Sequence, residues 1–152
     1  PFQMSSYEFF AMVKEHLNDN GVMVVNMNMH SDKEGNINDY LSDTIANVFN
    51  RVYTVDVDGS TNRELFAMQD EDALKVFDQN KDKIEDSSLQ ALMNRVSEDI
   101  ISYDRGDYLL TDDKAPVEML GMQVIDDLIK GEVSFYKEIY REEGIQGILQ
   151  SF

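Results

Sequence analysis

The chain has 152 residues, 42% of them hydrophobic and none cysteine, which allows one domain with a real core and excludes disulfides and thiolate metal sites. Acidic residues number 30 and basic ones 13, a net charge of −17. That balance argues against phosphate-directed binding to nucleic acid, attracts cationic ligands, and otherwise reads as a solubilising surface. No apolar run approaches the ~20 residues of a membrane helix, and no secretory signal opens the chain. It starts at Pro1 without a methionine, which reads as a piece of a longer protein.

Taken in order, residues 1–4 read as a loop entering a helix. Ser5 with Glu8 fits a capping box, and Phe9, Met12, Val13 and Leu17 recur at helical spacing. The run Asn18-Asp19-Asn20 plus Gly21 stops this helix, Gly21 being suited to a left-handed backbone. Residues 21–28, Gly-Val-Met-Val-Val-Asn-Met-Asn, form a short β-branched apolar run without strict alternation. They are expected as an interior strand buried on both faces. The polar stretch 30–38 is the loop at its carboxyl end, the edge where open α/β sheets bind ligands. Asn38 or Asp39 can cap the next helix, which runs through Phe49 with Leu41, Ile45, Val48 and Phe49 on its apolar side. Residues 51–57 alternate as a strand, with Val52, Thr54 and Asp56 on one face and Tyr53, Val55 and Val57 on the other. A turn at 58–62 leads into a short strand, 64–68, returning antiparallel. Helix, strand, helix, strand is α/β grammar, and it predicts a sheet of about three mixed strands.

From Gln69 onward the chain is more charged. Ala73, Leu74, Val76 and Phe77 predict one helix; Leu89, Leu92, Met93, Val96, Ile100 and Ile101 predict a second. The run 104–107 breaks it, and Tyr108-Leu109-Leu110 is a short extended piece. Pro116 can open a final helix, with Val117, Leu120, Val124, Leu128 and Ile129 as one stripe. Gly131 reads as a kink or punctuation in that helix, and Gly144 with Gly147 as its end.

Few constellations carry chemistry. Asp78-x-Asn80-x-Asp82 starts like a calcium loop, but the sixth position is Lys83 where glycine is needed and the twelfth is Leu89 where glutamate is needed. His16 and His30 have no metal-ligand companion at fixed spacing, and His16 near a helix C-terminus is explained by the helix dipole. Serine-nucleophile, phosphate-loop and Gly-x-Gly-x-x-Gly motifs are absent. The most distinctive segment is Leu110-Thr111-Asp112-Asp113-Lys114-Ala115-Pro116-Val117-Glu118. Its paired carboxylates could hold an amine through charge-assisted hydrogen bonds. Alternatively Asp112 or Asp113 caps the helix that follows, with Glu118 favouring its positive end, and residue physics alone favours that second reading.

Those residues also carry a resemblance. Pro1-Phe2-Gln3, Glu8-Phe9-Phe10, the strand at 21–26, Tyr53-Thr54-Val55-Asp56, Gly59-Ser60-Thr61-Asn62, and the Leu110–Glu118 segment with its Asp112-Asp113 pair resemble the carboxyl half of spermidine synthase-like proteins, a family of polyamine aminopropyltransferases. The blocks cover 1–68 and 108–118. The resemblance implies the carboxyl half of a class I methyltransferase-like (Rossmann-like) sheet. Its last strands run fifth, seventh, sixth, with the seventh antiparallel between the others. It implies a division into 1–68 as the half-sheet, 69–107 as a helical insertion, and 108–152 as the acidic motif with a C-terminal helix. It implies aminopropyl transfer from decarboxylated S-adenosylmethionine, the co-substrate of the parent protein, to a diamine such as putrescine, in the cytoplasm or at the cytoplasmic face of a membrane protein with upstream spans. Gln3, Asp112, Asp113 and Glu118 become substrate-binding candidates. No catalytic residue, metal or cofactor is assigned to the chain itself. The glycine-rich loop, the ribose-binding acid and the post-strand aspartate of the family are absent, so the piece is expected to be inactive alone. An unpaired edge on its most apolar strand predicts a homodimer. The competing readings are a non-catalytic interaction module of the same fold and a methyltransferase fragment with another acceptor.

Overall fold

The computed structural model describes residues 2–28, 33–59 and 61–151. The readings placed on Pro1, His30 and Ser60 lie outside the described residues. A 3₁₀ turn, Phe2–Met4, precedes helix α1, Tyr7–His16. The cap is Ser6, one residue later than expected: its backbone is extended, and its hydroxyl accepts from the Phe9 amide at 3.2 Å. Glu8 does not close a box; its carboxylate accepts instead from the Asp112 amide, 3.0 Å away. Gly21 follows α1, but positive φ angles occur at Gly35, Gly59 and Gly144. Gly21 is needed for space, since a Cβ there would lie 2.9 Å from the Asn18 carbonyl oxygen.

Strand β1, Val22–Met27, leads to helix α2, Ile37–Ala46, then strands β2, Arg51–Asp56, and β3, Arg63–Met68. The cap of α2 is Asn36, with Asp39 as the other half of a capping box, not Asn38 or Asp39 as the cap itself. The helix stops at Ala46, yet Val48 and Phe49 stay buried beyond its end. The sheet order is β1-β3-β2-β4, and every hydrogen-bonded pair is antiparallel, so the described sheet is not mixed in its pairing. The first three strands take the expected order, with a reversed strand between two that run the same way. The fourth, β4, Ile101–Ser102, was expected as helix. Helix α4, Ser87–Asp99, ends first: Ile100 is extended, and the two residues after it satisfy the outer edge of β2 opposite Tyr53 and Thr54.

Register assigns the two sheet faces. Met23, Val25, Leu65, Ala67 and Val52 share the face covered by α1 and α2. There Phe10, Met27, Ile45, Val48 and Phe49 complete the core. Each fully buried Leu, Ile or Phe contributes roughly 1.5–3 kcal/mol. The other face carries Val22, Val24, Phe66 and Tyr53. β1 is not buried on both faces, because Val22 is 48% and Val24 55% exposed. It lies at the end of the strand order, and helix α3, Ala73–Lys81, and α4 cover this face only toward Tyr53 and Met68.

Helix α5, Val117–Gln150, begins one residue after Pro116 with no side-chain cap, so neither Asp112 nor Asp113 caps it as expected; Asp112 bonds to Ser6 instead. It continues through Gly131 and bends at Gly144, whose φ is 67° and ψ −159°; helical structure resumes directly after it and runs through Gly147, which does not end the helix, to Gln150. Leu120 and Val124 are buried on the α2 side, whereas Leu128 and Ile129 are exposed, so only the start of the expected stripe is covered. Among the described residues no helix is long and apolar enough to cross a membrane.

Candidate functional site

The acidic segment is delivered by a strap, residues 103–110, that two polar side chains of α2 hold down. The Tyr103 amide donates to the Val52 carbonyl at 2.9 Å, which extends the pairing of β4 on β2. Asp43 is 3% exposed and accepts three bonds. They come from the Tyr103 hydroxyl at 2.7 Å and from the amides of Gly106 and Tyr108, each at 3.0 Å. Gly106 is required there, because a Cβ would come closer than 3.0 Å to the Asp43 carboxylate. Burial, then the Asp43 bond, raise the Tyr103 pKa above its usual value. The next residue on α2, Thr44, accepts from the Leu110 amide at 2.9 Å and donates to the Tyr40 carbonyl at 2.6 Å. The Tyr108 ring stacks on Tyr40 with centroids 4.6 Å apart. Leu110 is fully buried, and its carbonyl accepts from the Tyr7 amide at 2.8 Å.

Thr111 and Lys114 then close a tight turn, with amides and carbonyls paired at 3.1 and 2.9 Å. Asp112 is drawn onto the start of α1, where it accepts from the Ser6 hydroxyl at 2.5 Å and favours the positive end of the helix. Asp113 stands exposed at the tip of the turn and makes no hydrogen bond or ion pair among the described residues. Glu118 is exposed in the first turn of α5 and is likewise unpaired among them. Gln3 is exposed in the 3₁₀ turn three residues before Ser6. The structure therefore brings Asp112 to Ser6 and Glu8, across more than a hundred positions, and leaves Asp113 free beside them. It gives no direct bond from Gln3 or Glu118 to that group.

The place matters. The α2 start, through Asn38 on the Asn28 carbonyl, and the Arg63–Asp56 pair, 2.5 Å apart, lie at the carboxyl end of β1. In Arg63 the bond to Asp56 raises an already high pKa against the opposing effect of burial. This is the edge at which open α/β sheets hold ligands.

Other candidates resolve as local structure. Asp78 and Asn80 lie within α3 and Asp82 caps it, with Lys81 pairing to Asp78 at 3.8 Å and Asp82 at 3.3 Å, so the calcium-like run is helix. His16 donates from Nδ1 to the Met12 carbonyl at 2.8 Å. No group of three His, Cys, Asp or Glu among the described residues could hold a metal ion. Sequence reasoning missed Ser6, Asp43, Thr44 and Tyr103. A signal existed for two of them: Asp43 and Thr44 are polar residues beside Ile45 on the buried side of a helix, where unpaired groups are not tolerated.

Comparison with known proteins supplies what geometry does not. A curated protein described as "Probable polyamine aminopropyl transferase", from Bifidobacterium longum (strain NCC 2705), is 45% identical over 168 aligned residues, covering 99% of this chain. The chain belongs to the polyamine aminopropyl transferase family. It spans 38% of that relative's length. The similarity to this aminopropyl transferase extends over α3, α4 and α5, which the sequence motifs left unmatched. No protein-family model matches the chain, and no solved structure does.

Proposed function

We propose that this chain forms the carboxyl part of the catalytic domain of a spermidine synthase-like aminopropyltransferase and contributes the amine-acceptor side of its cleft. The observation that carries this reading is the acidic turn itself, with Asp112 anchored on Ser6 at the start of α1 and Asp113 free among the described residues. The identity to the curated relative supports it. So does the order β1-β3-β2, which fits the fifth, seventh and sixth strands of a class I methyltransferase-like sheet. In the reaction the amine nitrogen attacks the carbon beside the sulfonium of decarboxylated S-adenosylmethionine. The C–N bond forms, the C–S bond breaks, methylthioadenosine leaves, and the amine's proton passes to a carboxylate or water. Asp113 would pair with a diamine ammonium such as that of putrescine, Asp112 would fix the turn, and Gln3 and Glu118 would flank the cleft. The nucleoside contacts would come from residues outside this chain, which by itself neither binds the nucleoside nor turns over.

The test is kinetic, in the whole enzyme. Asp113→Asn should raise the KM for putrescine about tenfold with the melting temperature unchanged, the loss of one charge-assisted bond. Asp112→Asn should lower the melting temperature as well, because it also releases Ser6. Wild-type kinetics in both variants, with earlier melting, would leave capping as the whole role of the pair.

A further inference from the structure

The sheet face opposite α1 and α2 carries a cleft that the aminopropyl reading does not use. It lies under α3 and α4, has a volume of about 360 Å³, and is walled by Val22, Tyr53, Phe66, Leu74, Phe77 and Val96. That is the size range of small-molecule pockets, which are mostly apolar with a few polar groups that set orientation. The polar groups here are the Tyr53 hydroxyl, Asn20, Asn80 and Asp70, and Asp70 is the single charged residue in the lining. Tyr53 is largely buried, and its hydroxyl, which makes no hydrogen bond among the described residues, remains open to solvent. One Asp70 oxygen accepts from the Asp72 amide at 2.8 Å, which aims the carboxylate, and the other is free to take a ligand. Asn20, Val22, Met68 and Asp70 line it at the amino end of β1. None of its lining residues belongs to the acidic turn or its anchors.

We propose that this cleft binds a small monoamine with an aromatic or branched apolar body, the ring between Tyr53, Phe66 and Phe77 and the ammonium at Asp70. Charge selects the class. A carboxylate ligand would face Asp70 in a chain of net charge −17. A polyamine would have to place its further ammonium groups against an apolar wall without partners, where desolvation is not repaid. The site thus excludes the substrates proposed for the acidic turn.

The experiment uses the chain itself and two matched fluorescent probes, 2-naphthylmethylamine and 2-naphthylacetate. The amine should bind saturably at one site, and the carboxylate about tenfold more weakly, the factor expected of one partly desolvated ion pair. Asp70→Asn should erase that preference while leaving the naphthyl affinity, and spermidine should not compete. Ala73→Phe, which places a ring in the cleft, should abolish binding of both probes with the circular dichroism spectrum unchanged. Equal binding of the two probes, a preference that survives Asp70→Asn, or no saturable binding would each overturn the proposal. These readouts are independent of aminopropyl transfer, so a failure of that reading leaves them intact.

Discussion

Replacing Asp43 by asparagine is the sharpest perturbation of the strap that carries the acidic turn. The asparagine side chain keeps the size of the aspartate and one acceptor oxygen, but its other head atom becomes a donor. The three groups around it, the Tyr103 hydroxyl and the Gly106 and Tyr108 amides, are all donors in the native arrangement. One backbone amide would therefore face an amino group in a site that is 3% exposed, with no water to replace the lost bond. Charge-assisted bonds to a buried acceptor are each worth about 1.5–3 kcal/mol, and breaking such a group costs more than the mean bond, so about 3 kcal/mol is expected. For a chain of this size that is a fall of about 6–12 °C in Tm. Urea unfolding measures the free energy, and amide exchange locates it: protection should fall at Gly106, Tyr108 and Leu110 before it falls in β1–β3. Tyr103→Phe alone should cost about 1 kcal/mol, and in the double variant the two losses should fall short of their sum. A destabilisation below about 0.5 kcal/mol, or unchanged exchange along the strap, would refute the view that Asp43 holds it down.

Two further outcomes follow. The raised Tyr103 pKa means the folded state holds that proton more tightly than the unfolded chain, whose tyrosines titrate near 10. The stability Tyr103 contributes is complete below pH 10 and is lost as pH rises above it; ultraviolet titration should show a late tyrosine phase, to which Tyr108 also contributes, that shrinks in Tyr103→Phe, and a late phase unchanged by Tyr103→Phe would contradict this. Among the described residues β1 is paired on one side, with Val22 and Val24 exposed on it, so the chain should form a two-fold dimer that tightens as salt screens its −17 charge; sedimentation giving a monomer at every salt and protein concentration would end that argument.

Local signals determined much of this chain. The β-branched run at 22–27 and the alternation at 51–56 were enough to place two strands, because period and side-chain branching are properties of adjacent residues. The stop before Gly21 and the turn at Gly59 were legible for the same reason. The Asp112-Asp113 pair could be singled out, but not divided into an anchored and a free carboxylate, since the anchor is Ser6, 106 positions away. Helix caps were misplaced by a residue or two, because several neighbouring hydroxyls and amides can cap and the local backbone chooses among them. Ile101 fits a helical spacing and is a strand only because β2 offers it an unpaired edge. The exposure of Val22 and Val24 was equally beyond the sequence: an apolar strand reads as buried, and whether anything covers it is decided by where α3 and α4 come to rest. Asp43 shows the limit most directly. A single carboxylate in a helix looks like a surface charge until the fold lays three donors from about sixty positions downstream around it.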